Sequence, residues 1–437
     1  MAGARASKSK SWFTRHGGWA LVVTACATLL VTLLFITFLP PDRRIDYAPK
    51  HLYEIDDPQF KRTLGTLLGP PILAGNKVDT LKNGDEIFPA MLAAIRSAKH
   101  NIDFETYVYW SGQIGRDFAN AIAERARAGV RAHMLLDWVG SQRMEKDVLA
   151  TMVDAGARVE FYHALRWYTL ARMNNRTHRK LLVVDGQVGF TGGVGIAEEW
   201  TGDAQDPQHW RDTHFRVEGP AVAQMQAVFL DNWMKVTGEV SHGGDYFPAL
   251  ANAGGTDAQM FASSPTGGSE SMELMYLLAI VSAKRSILLE AAYFIPDDLT
   301  SEALVDARRR GVDVRVIVPG KYNDAKVTRY ASRSTWGPLL DAGVRIFEYQ
   351  PTMFHCKVLI VDGLFTSVGS TNFDNRSFRL NDEASLNVFD AGVASTQAKI
   401  FEDDLVQSKE YTLADWAARS WWQRLSEWAS STVEAQL

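Results

Sequence analysis

The sequence predicts an α/β protein built from two similar β-sheet halves flanked by helices, with one transmembrane helix at the N-terminus. Three observations lead to this fold class: an uncharged apolar stretch near the start, strands that alternate with helical segments, and a motif that occurs twice. The chain has 437 residues, of which 46% are apolar and 22% charged, and this composition excludes a mostly disordered protein. The length favours two domains or one duplicated domain.

The apolar stretch covers residues 19–39, contains no charged residue and is long enough as a helix to cross a bilayer. Four basic residues and no acid precede it, whereas charges of both signs follow it. The positive-inside rule therefore predicts a cytoplasmic segment over 1–18, a membrane anchor over 19–39 and a juxtamembrane connector over 40–71 outside the cytoplasm. A cleavable signal peptide is the alternative, which the length of the stretch disfavours.

Beyond the connector, strand-like and helical segments alternate in the same order in two parts of the chain. The first part, residues 72–242, has strand-like segments at 101–109, 129–137 and 154–162, and the second, residues 255–411, has them at 286–294, 310–318 and 341–349. This alternation predicts βα units around a largely parallel sheet in each half. A stretch rich in Gly and Ala over 242–255 is predicted to link the halves.

A motif of His, Lys and Asp occurs once in each half. The first copy is His178, Lys180 and Asp185, and the second copy is His355, Lys357 and Asp362, at a constant offset of 177 residues. A turn that contains glycine follows each copy, with Gly193 in the first and with Ser370 and Asn372 in the second. One such motif arises by chance, but two copies in matched context favour a functional site over two buried strands that begin with His.

Residues two apart in a strand share a face, so each His projects together with its Lys. The apolar run after each Lys indicates a central strand covered on both faces, and we expect the two strands to meet at the middle of the sheet. Two imidazoles and two ammonium groups suit attack on a phosphodiester without a metal or cofactor. One neutral His attacks phosphorus, the other, protonated, serves the leaving group, and the lysines stabilise the phosphoryl oxygens. Backbone N–H groups near Gly193 are expected to approach the phosphate.

Each imidazole also needs a carboxylate on its second nitrogen to fix its tautomer and tilt. Asp185 and Asp362 complete the candidate catalytic motif, but they have the opposite strand parity from their histidines, so we expect them to form structural hydrogen bonds near the strand ends. Asp212 and Glu383 are better candidates for the orienting carboxylates. The alternative is that both are ordinary turn residues.

The paired motifs resemble the phospholipase D superfamily, and the surrounding sequence is similar to bacterial cardiolipin synthases. The similarity extends over residues 72–411 and includes the segments 75–78, 136–141, 210–222, 293–296, 331–334, 347–351 and 375–381. It implies two phospholipase D-like halves that share one active site.

The same resemblance implies a reaction through a phosphohistidine in which two phosphatidylglycerol molecules give cardiolipin and glycerol. By position, it makes His178 and His355 the nucleophile and the acid–base, in an order left open, and makes Lys180 and Lys357 the phosphate ligands. It also implies that Ser370 and Asn372 contact the phosphoryl group, whereas Asp212 and Glu383 support the histidines.

We therefore expect a phosphatidyltransferase that crosses the bacterial inner membrane once, with its catalytic part on the periplasmic side and with phosphatidylglycerol and the bilayer as its partners. A phospholipase D hydrolase, or a transferase that uses another headgroup alcohol, is the nearest alternative. A nuclease is disfavoured because the net charge of −5 and the lack of a basic stripe argue against nucleic acid as a partner. Intact His and Lys residues in both copies argue against an inactive lipid-binding scaffold.

Two features depart from the family pattern. Gly195 stands where the second copy has Asn372, which removes one polar contact on the first-half side and leaves the preference for donor or acceptor open. An extra stretch over 164–174 contains Trp167 and Tyr168, and it is either a rim loop that contacts lipid or an ordinary surface loop.

Three other features carry weaker expectations. Glu105 and Glu290 occupy matching strand positions, where they either support the site or face solvent, and Cys356 is expected to be a core thiol. Residues 412–437 are predicted to form an amphipathic C-terminal helix. Its apolar stripe either caps the core or lies in the membrane interface.

Overall fold

A computed structural model of the chain describes residues 12–38, 45, 49–164, 174–265 and 271–431. The helices within these ranges are α1 Trp12–Phe38, α2 Pro58–Leu67, α3 Asn83–Ser97, α4 Gln113–Arg127, α5 Lys146–Asp154, α6 Ala221–Thr237, α7 Ser271–Val281, α8 Asp298–Arg309, α9 Lys326–Asp341, α10 Asn375–Arg379, α11 Ala391–Val406, α12 Leu413–Ala417 and α13 Trp421–Ser431. The strands are β1 Leu73–Lys82, β2 Asn101–Thr106, β3 Arg131–Asp137, β4 Arg158–Tyr162, β5 Leu181–Val184, β6 Val188–Gly192, β7 Thr213–Glu218, β8 Thr256–Ser263, β9 Ser286–Ala291, β10 Asp313–Pro319, β11 Arg345–Tyr349, β12 Lys357–Val361, β13 Phe365–Gly369, β14 Glu383–Phe389 and β15 Ser408–Tyr411.

The described strands form one mixed sheet with the order β15-β11-β10-β9-β12-β13-β14-β8-β1-β7-β6-β5-β2-β3-β4. From the β8–β1 junction outwards, the first half runs β1-β7-β6-β5-β2-β3-β4 and the second runs β8-β14-β13-β12-β9-β10-β11. The two orders correspond strand for strand, and β15 is an addition at the outer edge of the second half. The duplication in the sequence is therefore a duplication of the sheet.

The apolar faces of the sheet are covered by helices, which gives three core clusters. One cluster contains residues of α3, α4 and α5 on the first half, and another contains residues of α2, α7, α8 and α9 on the second half. The third contains residues from both halves, including Phe229 and Trp233 of α6 and Phe401 of α11. Strands β5 and β12 are buried along their whole length, as their continuous apolar runs predict.

The prediction of a largely parallel sheet is wrong. Only the outer strands β2-β3-β4 and β9-β10-β11 pair in parallel among the described strands, and the others pair antiparallel. Each motif strand is followed by a tight turn, Asp185-Gly186 or Asp362-Gly363, and the next strand pairs antiparallel with it. All four residues have positive φ, between 53° and 66°, the conformation that favours an Asp-Gly hairpin turn. The Asp-Gly pairs are visible in the sequence and indicate this hairpin.

The motif aspartates hold the start of the neighbouring strand in place. The Asp185 carboxylate accepts hydrogen bonds from three successive backbone N–H groups, at residues 99–101, and the shortest is 2.7 Å. Asp362 accepts the same three bonds from residues 284–286. Both lie at the far end of their strands from the motif histidines, which places them outside the candidate site.

Expectations for the two ends of the chain and for the stretch 164–174 can be compared with the described residues. Within the part of the chain that the structure describes, no helix combines the length and apolar character needed to cross a membrane. Residues 1–11 and most of the stretch 164–174 lie outside the described residues, so the cytoplasmic segment and the predicted rim loop are not described there. The single helix predicted over 412–437 is two helices, α12 and α13, with a break over 418–420.

We predict that Asp362→Ala destabilises the fold without removing catalytic chemistry. The substitution leaves three backbone N–H groups without their acceptor and places Ala at positive φ, so the free energy of unfolding should fall by about 1–3 kcal/mol. Asp362→Asn should be milder, because its amide oxygen still accepts a hydrogen bond and Asn tolerates this conformation. Thermal unfolding, measured beside the activity per folded molecule, tests this. A stable but inactive Asp362→Ala protein would instead assign the aspartate to the chemistry.

Candidate active site

The two motif histidines come together by a route that the sequence did not indicate. We expected their strands to meet at the middle of the sheet, but β13, β14, β8, β1, β7 and β6 lie between β12 and β5. Instead, the residues just before each motif strand cross to the other half. Thr177 forms a parallel bridge with Asp382, and Phe354 forms one with Arg211.

These crossings are completed by backbone hydrogen bonds. The backbone N–H of His178 donates to the carbonyl of Asp382 at 2.9 Å, and that of His355 donates to the carbonyl of Arg211 at 2.8 Å. His178 is therefore placed beside Asp382, one residue before β14, and His355 is placed beside Arg211, two residues before β7. The two rings face one cavity of about 410 Å³.

Each imidazole is oriented by a carboxylate from the opposite half. Nδ1 of His178 lies 2.9 Å from Oε1 of Glu383, and Nδ1 of His355 lies 2.8 Å from Oδ2 of Asp212. All four side chains are buried. With Nδ1–H donated to a carboxylate, each ring keeps its Nε2 lone pair for the substrate. The candidate orienting carboxylates of the sequence analysis are thus at hydrogen-bonding distance from the histidines.

The two lysines are held beneath the histidines. Nζ of Lys180 donates to the carbonyl of His178 at 2.8 Å, and Nζ of Lys357 donates to the carbonyl of His355 at the same distance. Nζ of Lys357 also lies 3.2 Å from Nε2 of its own histidine. Both ammonium groups are buried, so they are positioned to act on an anion in the cavity with little screening by water.

Burial sets the protonation of the site. Burial lowers the pKa of His178 to about 4, although the negative charge of Glu383 acts in the opposite direction. Burial also lowers the pKa of His355, and the positive charge of Lys357 lowers it further. Burial also lowers the pKa of Lys180 to about 7, helped by repulsion from Lys357. Both imidazoles are therefore uncharged at neutral pH before an anion enters, which is the state that a nitrogen nucleophile needs.

The supporting carboxylates stay ionised. Burial alone would raise the pKa of Asp212, but the hydrogen bond that it accepts from His355 and the charge of Lys357 outweigh burial and lower the pKa. The pKa of Glu383 is lowered in the same way, because His178 and Lys180 offset the cost of its burial. An ionised partner on Nδ1 stabilises whichever histidine takes up a proton.

Gly193 and Ser370 stand at equivalent positions, and both act on the carboxylates. A Cβ at Gly193 would lie 2.2 Å from Oδ1 of Asp212, so this position must be glycine for the carboxylate to reach His355. The Ser370 hydroxyl donates to Oε2 of Glu383 and is fully buried behind it. Of the predicted substrate-binding residues, Asn372 is the one among the described residues that lines the cavity, and its side-chain oxygen has no hydrogen-bond partner there.

Trp200 explains why the first half has glycine where the second has Asn372. A Cβ at Gly195 would meet Val108 at 2.8 Å and the Trp200 ring at 3.2 Å, so the indole occupies the place of the missing amide. Nε1 of Trp200 donates to Oδ2 of Asp212 at 2.9 Å, and its ring meets the His355 ring edge to face. Sequence analysis missed this residue, and no spacing or parity marks it.

The rest of the cavity wall contains aromatic and charged residues that sequence analysis also missed. Besides the histidines, Lys180, Asn372 and Trp200, the lining consists of Tyr107, Val108, Trp110, Arg176, Trp210, Tyr293, Asp324, Thr328, Asp374, Arg376 and Asn381. Arg176 has the same strand parity as His178 and Lys180, so the face-sharing argument could have found it. Arg176 and Arg376 are the cations of this part of the wall, and Asp324 and Asp374 are its carboxylates.

The paired strand glutamates are buried, not exposed to solvent. Glu105 accepts hydrogen bonds from Thr177 and from Nδ2 of Asn232, and burial raises its pKa to about 7. Burial also raises the pKa of Glu290 to about 8. Cys356 is fully buried beside the backbone of Arg211, as expected of a core thiol. Across the ranges described, no cluster of three or more His, Cys, Asp or Glu side chains is placed to hold a metal ion.

Comparison with known proteins identifies a matching family and several related proteins. The family described as "Cardiolipin synthase, PLD-like domain" matches residues 91–233 and 276–405. A cardiolipin synthase 2 of Bacillus cereus is 37% identical over 334 residues, which is 76% of this chain and 65% of that protein. A cardiolipin synthase of Staphylococcus aureus is 34% identical over 361 residues, which is 82% of this chain and 73% of that protein.

The solved structure of a phosphatidylserine synthase from Haemophilus influenzae superposes with a TM-score of 0.68 at 14% identity, over 87% of this chain and all of that one. At this identity the superposition shows a shared fold. In the sequence comparison, the chain spans 65% of the length of the Bacillus cereus relative, which is slightly less than two thirds.

We predict that Gly193→Ala lowers activity roughly a hundredfold, because the new methyl group pushes the Asp212 carboxylate away from His355 and a small misplacement of a catalytic group has this effect. Gly65→Ala in α2 is the matched control: its Cβ would find its nearest neighbour at 3.7 Å, an ordinary contact. Steady-state kinetics of both variants measure the effect. Full activity in Gly193→Ala would show that His355 does not depend on the position of Asp212.

Proposed function

Because the chain belongs to the cardiolipin synthase family of phospholipase D-like proteins, we propose that it transfers a phosphatidyl group from one phosphatidylglycerol molecule to another, giving cardiolipin and glycerol. The observation that carries the proposal is one cavity that is lined by both motif histidines and by Lys180, with Lys357 held against His355. The family match supports the choice of lipid substrate.

The first half of the reaction forms a covalent intermediate. Nε2 of one histidine attacks phosphorus of the donor lipid, and the bond between phosphorus and the headgroup glycerol oxygen breaks. The other histidine, protonated once the anionic substrate is bound, gives its proton to that oxygen, and glycerol leaves. Lys180 and Lys357 stabilise the charge on the phosphoryl oxygens.

The second half reverses these roles with a new alcohol. The histidine that gave up its proton removes one from a headgroup hydroxyl of the acceptor phosphatidylglycerol. That oxygen attacks phosphorus, the bond between phosphorus and nitrogen breaks, and cardiolipin forms. Water in place of the lipid alcohol would give phosphatidic acid, which is the hydrolase alternative. The side-chain oxygen of Asn372 is available to position the headgroup, since it has no partner among the described residues.

We predict that the purified full chain in phosphatidylglycerol vesicles produces cardiolipin and glycerol in equal amounts, as measured by mass spectrometry. His178→Ala and His355→Ala should each lower the rate by at least about a thousandfold, because either change removes a group that acts in both steps. His242→Ala, at an exposed position between the halves, is the control and should be fully active.

The product distinguishes the two candidate reactions. Phosphatidic acid without cardiolipin would replace the synthase proposal with the hydrolase. Full activity after either motif substitution would remove the proposed mechanism. A denaturing quench during turnover should trap a phosphatidyl adduct on one of the two histidines.

We further infer that residues 19–39 anchor the protein in the bacterial inner membrane and that residues 72–411, organised as halves 72–242 and 255–411, lie on the periplasmic side after the connector 40–71. Helix α1 covers most of the uncharged stretch, and its side chains over 18–32 are all exposed. Exposed apolar side chains of this kind favour a lipid environment.

We predict that a reporter enzyme fused after Leu437 is active when it requires export from the cytoplasm. The positive charges before the anchor should keep the N-terminus inside. A matched fusion with a reporter that works only in the cytoplasm should be inactive at the same position. The opposite pattern would reverse the proposed orientation.

A further inference from the structure

Helix α13 has its polar and apolar faces reversed relative to a helix packed on a protein core. Trp421, Trp422 and Trp428 are 63%, 62% and 66% exposed, and Leu425 between them is also exposed. Glu427, in contrast, is buried against the protein. The apolar stripe predicted from the sequence therefore does not cap the core, because its side chains point away from it.

Polar contacts hold this helix in its reversed orientation. Arg419, just before α13, forms an ion pair with Glu427, and its guanidinium lies over the Trp416 ring at 3.7 Å. Nε1 of Trp416 donates to the carbonyl of Arg333 in α9 at 3.0 Å. The buried ion pair fixes which face of α13 is turned inward, so the outward tryptophans are a built feature of the fold.

Two exposed apolar side chains lie at the start of α9, beside the active-site cavity. Thr328, in the first turn of α9, lines the cavity, and its neighbours Val327 and Tyr330 are exposed. Tyr330 is one turn before Arg333, the residue that binds Trp416. Helix α13 packs against α9, so a partner bound to α13 lies next to the helix whose first turn lines the cavity.

Exposed cations accompany these apolar side chains. Arg424 is the exposed charged residue of α13, Lys326 is the first residue of α9, and Lys321 lies in the loop before α9. Asp324, between them, accepts a hydrogen bond from the Tyr293 hydroxyl at 2.6 Å. Tryptophan together with cationic side chains matches the headgroup region of an anionic bilayer, where the indole ring sits between water and hydrocarbon.

We propose that α13 and the start of α9 form a second membrane contact, in which Trp421, Trp422 and Trp428 enter the headgroup region of an anionic bilayer. This contact turns the cavity towards the lipid surface, so that a substrate reaches the histidines without leaving the bilayer completely. The proposal uses the proposed function only for the identity of the lipid. A second copy of the chain on the same tryptophans is the competing occupant.

The contact can be measured directly on the full chain. Trp428→Cys in a Cys26→Ser background gives a site for an environment-sensitive fluorophore, because Cys356 is buried. In vesicles of equal parts phosphatidylglycerol and phosphatidylcholine, the label should shift to shorter wavelength and be quenched by lipids with a spin label near the headgroup. A label at Val153→Cys, an exposed position on α5 beside the opposite edge of the sheet, is the matched control and should not respond.

A kinetic split provides the second readout. The triple variant Trp421→Ser, Trp422→Ser, Trp428→Ser should lose roughly tenfold in kcat/KM on vesicles, because the apolar surface that binds the interface is removed. It should keep its rate on short-chain phosphatidylglycerol dispersed as monomers, where docking is not needed. Val153→Ser should change neither rate.

Each other outcome counts against the contact. An unquenched label at position 428, or an equal loss of rate on both substrates, would overturn the proposal. If the wild-type chain were a dimer that the triple variant loses, and the label at position 428 were not quenched by lipid, the face would be assigned to a second copy. If the chain made no cardiolipin at all, the proposed function would fail, whereas the fluorescence result would still decide the membrane contact.

Discussion

The crossed hydrogen bonds between each histidine and the carboxylate of the other half are the constraint on which the site depends. His178 takes its partner from β14 and His355 takes its partner from the residue before β7, so neither half contains a complete His–carboxylate pair. The duplication therefore yields one site with two roles, not two sites. The sheet repeats the same strand order on both sides of the β8–β1 junction and continues through it, so it holds the two halves in the register that these bonds require.

A buried arginine lies close to each crossing, but the two halves place it at different positions. Arg179 follows His178, and the equivalent residue after His355 is Cys356. The residues that pair with the histidines differ in the opposite sense. Glu383 in the second half corresponds to Asp212 in the first, and the residue before each is Asp382 in the second half but Arg211 in the first. One crossing thus has an Arg from the motif strand, and the other has an Arg from the opposite half.

The exchange keeps the charge beneath both histidines balanced. Arg179 is attracted by Asp382, and Arg211 forms an ion pair with Asp404. Removing one member of such a buried pair leaves an uncompensated charge, which is strongly destabilising. Cys356 is therefore compatible with its position because Arg211 supplies, from the other half, the cation that Arg179 supplies in the first.

The sequence was sufficient for those parts of the site that follow from local periodicity. Strand parity placed each Lys beside its His and separated Asp185 and Asp362 from them. The need for a carboxylate on Nδ1 made Asp212 and Glu383 candidates, with an ordinary role in turns as the alternative. What could not be predicted depends on contacts between distant segments. The six strands between β5 and β12, the crossing at Thr177 and the insertion of Trp200 in place of an amide have no signature in the nearby sequence.

The charge balance of the site explains how two equivalent histidines acquire different roles. When both lysines are protonated, they offset the ionised Asp212 and Glu383, so the four charges next to the neutral imidazoles sum to zero. A bound phosphodiester adds one negative charge in a place shielded from water, and this favours the uptake of one proton by one imidazole. In the proposed reaction, the substrate thus creates the acid that its own leaving group needs. The two rings nevertheless have different surroundings, because Trp200 contacts the ring of His355 whereas Ser370 donates a hydrogen bond to Glu383, the partner of His178.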